Sequence, residues 1–245
     1  MALGRVDGRG DERLDDLDRI IGGLEKKTKV MTQEEKRTIA LHEAGHATVS
    51  WFLEYANPLV KVTIVPRGQA LGAAWYLPEE RTITTKEQML DEICATLGGR
   101  AAEELVTGHI SSGALNDLET VTKRAFGMVA YLGMSDKLSN LCFYNPNQDY
   151  AFSKPYSDKT AELIDEEVKK LIQEQYERAK TILTNHKDGH NQLAQVLIER
   201  EVIFADDVEE IFGKRPWKSR SDEIIAENER IALEEQVANL EAEKK

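Results

Sequence analysis

The chain has 245 residues, a formal net charge of −12 at pH 7 and 31% charged residues. This length suffices for one large domain or two small ones with a buried core, and the acidic balance argues against a nucleic-acid-binding protein, which needs a basic face. No run of about 18 apolar residues predicts a membrane span. Cys94 and Cys142 form no CxxC motif, which favours a reducing, cytoplasmic compartment and argues against thiolate metal ligands.

The first 30 residues have the composition of a flexible arm that runs into a short helix over Leu14–Leu24. Thr32 and Glu35 then have the spacing of a capping box. This spacing predicts a long helix from about residue 33 to residue 52.

Past Asn57-Pro58, alternating apolar and polar side chains predict two short strands, over residues 60–64 and 72–77. A second capping box, formed by Thr85 and Gln88, starts a helix that we expect to run to about residue 106 and to end at Gly108. A third helix should extend from about residue 112 to residue 132.

The segment 134–157 is aromatic, contains Asn and Pro, and is irregular, which is typical of a long surface loop. Apolar spacing then predicts three further helices, over residues 158–185, 192–200 and 205–212. Residues 218–245 form a Glu-rich segment, which we interpret as an acidic helical or disordered tail. The expected fold is therefore mainly α, with a small β-hairpin or sheet and a C-terminal helical subdomain.

The first long helix contains the most informative motif, His42-Glu43-x-x-His46. Residues four apart lie one turn above each other on a helix, so both imidazoles can bind the same zinc ion. Glu43 would project beside the metal, where a carboxylate can take a proton from a zinc-activated water and pass it to a leaving amine. The pattern predicts a zinc peptidase.

A catalytic zinc ion usually has three protein ligands, so a third one must lie elsewhere in the chain. The motif's own spacing leaves eight candidates open: Glu79, Glu80, Glu103, Glu104, His109, Asp117, His186 and His190. His186 and His190 repeat the four-residue spacing, but Lys187 replaces the catalytic glutamate and Gly189 suggests an inter-helix turn. We therefore interpret both histidines as surface residues.

Four ordered motifs carry a family resemblance: His42-Glu43-Ala44-Gly45-His46, the segment 61–68, the segment 97–104 and Gly113-Ala114-Leu115-Asn116-Asp117-Leu118. Together they resemble the peptidase domain of the FtsH family of membrane-anchored AAA proteases, peptidase family M41, from about Leu17 to Trp217. The resemblance implies that His42, His46 and Asp117 are the ligands of one Zn²⁺ per chain. It also implies that Glu43 is the catalytic acid/base.

The resemblance further implies a division of the chain, with a linker remnant in residues 1–30 and the metallopeptidase domain in residues 31–217. Within that domain, the catalytic part would cover about 31–133 and the helical part about 157–217. The family implies a homohexameric ring with an ATPase module, tethered to the cytoplasmic face of the inner membrane. No GxxxxGK[ST] motif occurs, so no ATP site is expected in this chain. We expect the ATPase module and the membrane anchor of the family to be absent from it, and this chain alone to be soluble and cytoplasmic.

The function expected from these observations is endopeptidase activity on unfolded or extended polypeptides. Residues 72–77 are the candidate edge strand to which such a substrate would pair by β-augmentation. Two alternatives belong to other classes: a catalytically silent oligomerisation module built from the helices after residue 157, and an acidic adaptor that binds partners through its tail. A silent module would tolerate the loss of at least one of His42, Glu43, His46 and Asp117.

Overall fold

The computed structural model describes residues 31–66, 71–78, 82–144 and 155–218, together with residues 228 and 230. These residues form six α-helices and three strands. The helices are α1 Gln33–Trp51, α2 Lys86–Thr107, α3 Leu115–Phe126, α4 Asp158–Asn185, α5 Lys187–Arg200 and α6 Ala205–Phe212. The strands are β1 Leu59–Thr63, β2 Ala73–Tyr76 and β3 Val202–Phe204. The expected mainly-α fold is confirmed, whereas the predicted N-terminal arm and nearly all of the acidic tail lie outside the described residues.

Both predicted capping boxes form and start the two helices that support the site. The Thr32 side chain accepts a hydrogen bond from the backbone of Glu35, whose carboxylate accepts one from the backbone of Thr32 in return. Thr85 and Gln88 make the same reciprocal pair at the start of α2. That helix ends at Gly108, whose φ of 70° lies in the left-handed region that favours glycine.

The three strands form one antiparallel sheet in the order β2-β1-β3. Strands β1 and β2 correspond to the two predicted strands, whereas β3 was not predicted. That strand is only three residues long and lies directly between two helices, so it is too short for a period-2 pattern to stand out. In the described part of the chain, β2 is an edge strand of the sheet.

Two other boundaries differ from the prediction. The third predicted helix is divided into a 3₁₀ turn at Ser112–Ala114, α3, and a π-helical turn at Gly127–Tyr131. Helix α5 begins five residues earlier than expected and includes Gly189, which was predicted to lie in a turn. A side chain at Gly189 would overlap the ring of Phe212, so packing between helices, and not a turn, explains this glycine.

Helix α1 runs between two apolar clusters and is buried over most of its length. Val49 and Leu53 belong to the cluster built mainly on α2, α4 and the π-helical turn, whereas Leu41 and Ala44 belong to the cluster built on the sheet, α5 and α6. Every residue from Ile39 to Trp51 is buried. The segment that carries the His-Glu-x-x-His motif is therefore fixed by tertiary packing, even though it contains three polar ionisable side chains.

Helices α1 and α2 approach each other closely at a pair of glycines. A Cβ atom on Gly45 would lie 2.5 Å from the carbonyl oxygen of Gly98, and a Cβ on Gly98 would lie 2.7 Å from the carbonyl oxygen of Gly45. The helical cost of Gly45, about 1 kcal/mol relative to alanine, is thus explained by a backbone contact that no side chain permits. Among the described residues, no helix combines the length and the apolar character needed to cross a membrane.

Candidate metal centre

His42, His46 and Asp117 come together at the base of an open cleft. The Nε2 atoms of the two histidines lie 3.0 Å apart, and Oδ2 of Asp117 lies 3.1 Å from Nε2 of His42 and 3.5 Å from Nε2 of His46. Helix α1 supplies both histidines from successive turns, and the first turn of α3 supplies the aspartate. Of the eight candidates for a third ligand, Asp117 is the one that joins the histidines in a metal-sized group within the described residues.

The arrangement of these three atoms fits a zinc ion. Ligands placed 2.0–2.1 Å from a tetrahedral zinc are separated from one another by about 3.3 Å, close to the three observed separations. Two imidazole nitrogens and one carboxylate oxygen also form a donor set typical of catalytic zinc. Because three atoms with lone pairs face one another here, a cation between them relieves their mutual repulsion.

Hydrogen bonds on the far side of each imidazole ring orient the histidines. Nδ1 of His42 donates to Oε1 of Glu103 at 2.7 Å, and Nδ1 of His46 donates to the carbonyl oxygen of Ala95 at 3.1 Å. A carbonyl oxygen can only accept, so the neutral His46 ring carries its proton on Nδ1 and leaves the Nε2 lone pair free to face the site. Such outer partners are a regular feature of metal-binding histidines.

Glu103 was open as a third-ligand candidate, but it contacts the site from behind a histidine. It is almost fully buried, and it also accepts hydrogen bonds from the backbone nitrogen of Ser111 at 2.7 Å and from the Ser111 hydroxyl at 3.0 Å. Burial opposes its ionisation, but the bonds from His42 and Ser111 outweigh burial and hold the pKa of Glu103 below its usual range. Spacing alone offered no way to distinguish this role from that of a ligand.

The electrostatics of the cluster favour a bound cation. Burial alone would lower the pKa of the His42 imidazole, but its bonds to Asp117 and Glu103 and the nearby Glu43 carboxylate raise that pKa to about 10. Burial likewise opposes the charge of Asp117, whereas contacts with His42 and His46 hold the pKa of Asp117 well below its usual range. A metal ion bound here would displace a proton from His42 and would be attracted by the nearby carboxylates of the cluster.

Gly99 makes space for the His42 ring. A Cβ atom on Gly99 would lie only 2.6 Å from the Cδ2 and Cε1 atoms of His42. The Gly98-Gly99 pair in α2 therefore has two functions, since Gly98 permits the close crossing with α1 and Gly99 permits the imidazole orientation that brings its Nε2 atom to Asp117.

Comparison with known proteins agrees with this geometry. The sequence model of peptidase family M41 matches residues 29–211. The chain belongs to peptidase family M41. The resemblance to the FtsH family is thereby confirmed, as is the expected enzyme class, a zinc metallopeptidase.

The curated relatives of this M41 chain are longer proteins. It is 69% identical over 210 residues to the ATP-dependent zinc metalloprotease FtsH of Parabacteroides distasonis, covering 85% of this chain and 31% of that protein. It is 53% identical over 204 residues to the mitochondrial ATP-dependent zinc metalloprotease FTSH 3 of Arabidopsis thaliana, covering 83% and 25%. For the mitochondrial inner membrane m-AAA protease component AFG3L2 of Mus musculus, the identity is 47% over 206 residues, covering 84% and 26%. The chain thus spans about a third or less of the length of these relatives.

The remaining third-ligand candidates have other surroundings in this M41 chain. Glu104 bonds to Tyr176 and Lys180 of α4, and His109 is exposed. Glu79 and Glu80 lie outside the described residues.

Of His186 and His190, both predicted to be surface residues, His186 is half-buried and His190 requires a correction. His186 stacks on Phe52 with the ring centroids 3.5 Å apart. His190, predicted to be a surface residue, is buried, and its Nε2 donates to the carbonyl oxygen of Leu41 at 3.0 Å. His190 thus links α5 to α1 just before His42.

The cleft above His42, His46 and Asp117 has a volume of about 940 Å³. Its base contains His42, Glu43 and His46, and its sides include Gly72 with the start of β2 and the segment 111–117. Among the described residues that line it, the carboxylates are Glu34, Glu35, Glu43, Glu103 and Asp117, and no lysine or arginine accompanies them. Its size and openness allow a segment of polypeptide to reach the metal-binding group.

Proposed function

We propose that this M41 chain is the proteolytic part of an ATP-dependent, membrane-associated protease and that it cleaves unfolded or extended polypeptides. The observation that carries the proposal is the convergence of His42, His46 and Asp117 at the base of an open cleft, with Glu43 on the same helix. This combination supplies metal ligands, a carboxylate base and access for a polypeptide.

In this proposal His42, His46 and Asp117 hold one zinc ion, and Glu43 is the catalytic acid/base. Zinc, when bound, supplies a Lewis acid that polarises the scissile carbonyl and lowers the pKa of a water molecule to about 7. The Glu43 carboxylate takes a proton from the attacking water and transfers it to the nitrogen of the leaving amine. Burial raises the pKa of Glu43, although His46 and His42 partly oppose this, and the raised pKa makes its carboxylate a stronger base than an exposed one.

An extended substrate is favoured because an edge strand borders the site. Strand β2 pairs with β1 on one side only among the described residues, and Ala73, Ala74 and Tyr76 line the cleft. A peptide that adds to this edge would run past the metal-binding group in an extended conformation, held by main-chain hydrogen bonds. Folded proteins cannot offer such a strand until they are unfolded, which is the step that an ATPase module would supply.

Peptide backbone methylation tests the pairing without altering the enzyme. In an antiparallel ladder, only every second residue of a strand hydrogen-bonds to a given neighbouring strand. N-methylation of those residues in a substrate peptide removes the backbone N–H donor and should raise KM. Methylation at the intervening positions is the matched control, because those residues do not bond to β2. It should leave KM within about twofold of the KM of the unmethylated peptide. An equal effect at all positions would rule out pairing to β2.

The catalytic roles are tested by zinc analysis and cleavage of an unfolded protein. We expect one zinc per chain in the wild type, weaker zinc binding in Asp117→Ala, and loss of cleavage with retained zinc in Glu43→Gln. Glu104→Gln is the control, because Glu104 faces α4 and not the cleft. Absence of zinc from metal-replete wild-type protein would instead favour the silent oligomerisation module.

We further propose that residues 31–133 form the catalytic part and residues 157–217 the helical part of a domain that assembles as a homohexamer. The relatives are named as ATP-dependent and inner membrane proteases, which supports an ATPase partner and a membrane-tethered site of action; the cytoplasmic face is the side that we propose for this chain. Light scattering on this chain tests the ring, with a mass near six chains expected. Fractionation of the full-length protein tests the location.

A further inference from the structure

Gly72, which precedes β2, lies directly against the proposed catalytic glutamate. A Cβ atom on Gly72 would lie 2.7 Å from Oε1 and 2.8 Å from Cγ of Glu43. Distances under 3.0 Å are not found for real Cβ atoms, so any side chain here would force one of the two residues to move.

Backbone conformation does not explain this glycine. The described glycines with positive φ are Gly108, Gly133 and Gly213, so Gly72 does not have the left-handed backbone that favours glycine. What glycine provides here is space, because the main chain approaches a buried side chain more closely than a Cβ permits.

Neither neighbour of Gly72 can easily yield to a new side chain. Glu43 is only 7% exposed and belongs to the buried segment of α1, Ile39 to Trp51. The same Cβ would also lie 2.9 Å from the carbonyl oxygen of Thr63, which belongs to β1 and whose residue pairs with Ala73. A side chain at position 72 is therefore confined between the catalytic carboxylate and the neighbouring strand.

We propose that Gly72 is a positioning residue for Glu43. Its lack of a side chain lets the main chain before β2 lie against the Glu43 side chain and limit the positions that the carboxylate can take. The inference rests on the proposed role of Glu43 as acid/base. One segment would then serve two purposes. Strand β2 would align the substrate backbone, and Gly72, which precedes it, would align the Glu43 carboxylate that transfers the proton.

The first test is kinetic and uses Gly72→Ala. Because a displacement of about 1 Å can reduce catalysis about 100-fold, kcat should fall by about 10- to 100-fold while KM and zinc affinity change by less than about threefold. Gly127→Ala is the matched control, since a Cβ there meets no atom closer than 3.9 Å and the residue does not line the cleft. An unchanged kcat in Gly72→Ala, or an equal loss in the control, would overturn the proposal.

The second test measures stability and does not depend on activity. Gly72→Ala should lower the Tm of the chain that has Glu43 by about 2–4 °C or more, as expected for roughly 1 kcal/mol of strain in a chain of this size. In a Glu43→Ala background the two clashing atoms of Glu43 are gone and only the Thr63 carbonyl oxygen remains close, so the same substitution should lower Tm by less than half as much. Equal shifts in both backgrounds would assign the constraint to the Thr63 carbonyl and refute a positioning role. If Gly72→Ala does not fold, recovery of folding in the double variant supports the role, and failure of both contradicts it.

The two proposals fail in different ways. If the wild type binds no zinc or cleaves nothing, the proposed function is wrong. If the wild type cleaves, Glu43→Gln does not, and Gly72→Ala behaves like the wild type, the inference about Gly72 alone is wrong.

Discussion

Glu103→Gln should weaken zinc binding although Glu103 is not a proposed ligand. In the native site one carboxylate accepts three hydrogen bonds, from Nδ1 of His42 and from the backbone and hydroxyl of Ser111. Glutamine has the same shape but only one accepting oxygen. Its NH₂ group must therefore face either the Nδ1 proton of His42 or the backbone proton of Ser111, and one buried donor loses its partner.

The size of the effect follows from these contacts. Loss of an outer partner of a metal-binding histidine typically reduces metal affinity about 10- to 100-fold, which corresponds to about 1.4–2.7 kcal/mol. One unsatisfied buried donor costs the fold about 1–3 kcal/mol. We therefore expect Glu103→Gln to fold with a reduced Tm and to bind zinc one to two orders of magnitude more weakly than the wild type.

Competition with a chelator of known affinity measures the zinc affinity, and thermal unfolding of the zinc-loaded protein measures its Tm. Glu104→Gln is the matched control because it removes the adjacent carboxylate, whose partners Tyr176 and Lys180 lie on α4. Zinc affinity in Glu103→Gln within twofold of the control would refute the view that Glu103 orients His42.

Three further predictions address other parts of the site and its support. Gly99→Ala should abolish stoichiometric zinc binding, because the new Cβ overlaps the His42 ring; elemental analysis after gel filtration measures this, and one zinc per chain would contradict it. Burial lowers the pKa of folded His190, despite its bond to Leu41, below the unfolded value of about 6.5, so the chain should lose up to about 1.4 kcal/mol of stability per pH unit below 6.5. Urea unfolding at several pH values should show a smaller dependence of the free energy of unfolding on pH in His190→Gln than in the wild type. The same pH dependence in both proteins would contradict this role of His190. Glu34→Lys places a cation at the acidic cleft, so the ratio of kcat/KM for acidic peptides to kcat/KM for basic peptides should rise about two- to fivefold at low salt. At high salt this ratio should return to the wild-type value, and a salt-independent change would exclude an electrostatic cause.

Most of the helical framework was predictable because local signals determine where helices begin and end. The capping boxes at Thr32 and Thr85 and the stop at Gly108 depend on residues within one turn of each other, and the structure confirms them. Strand β3 and the early start of α5 at Lys187 were missed, because their formation depends on pairing with β1 and on packing against α6. Contacts between distant segments leave little trace in a short window of sequence.

The sequence by itself determined the chemistry of this protein, because the four-residue spacing of His42 and His46 fixes their relation on any helix, and the order of the motifs identifies the family. The tertiary structure decided how that chemistry is assembled. It brought Asp117 to the two imidazoles, placed Glu103 behind His42 and buried His190 against Leu41. It also gave Gly72 and Gly99 a role, since a glycine reveals its purpose only through the atoms that occupy the space where its side chain would be. These relations join residues far apart in the chain, and only the packing of α1 between two apolar clusters makes them neighbours.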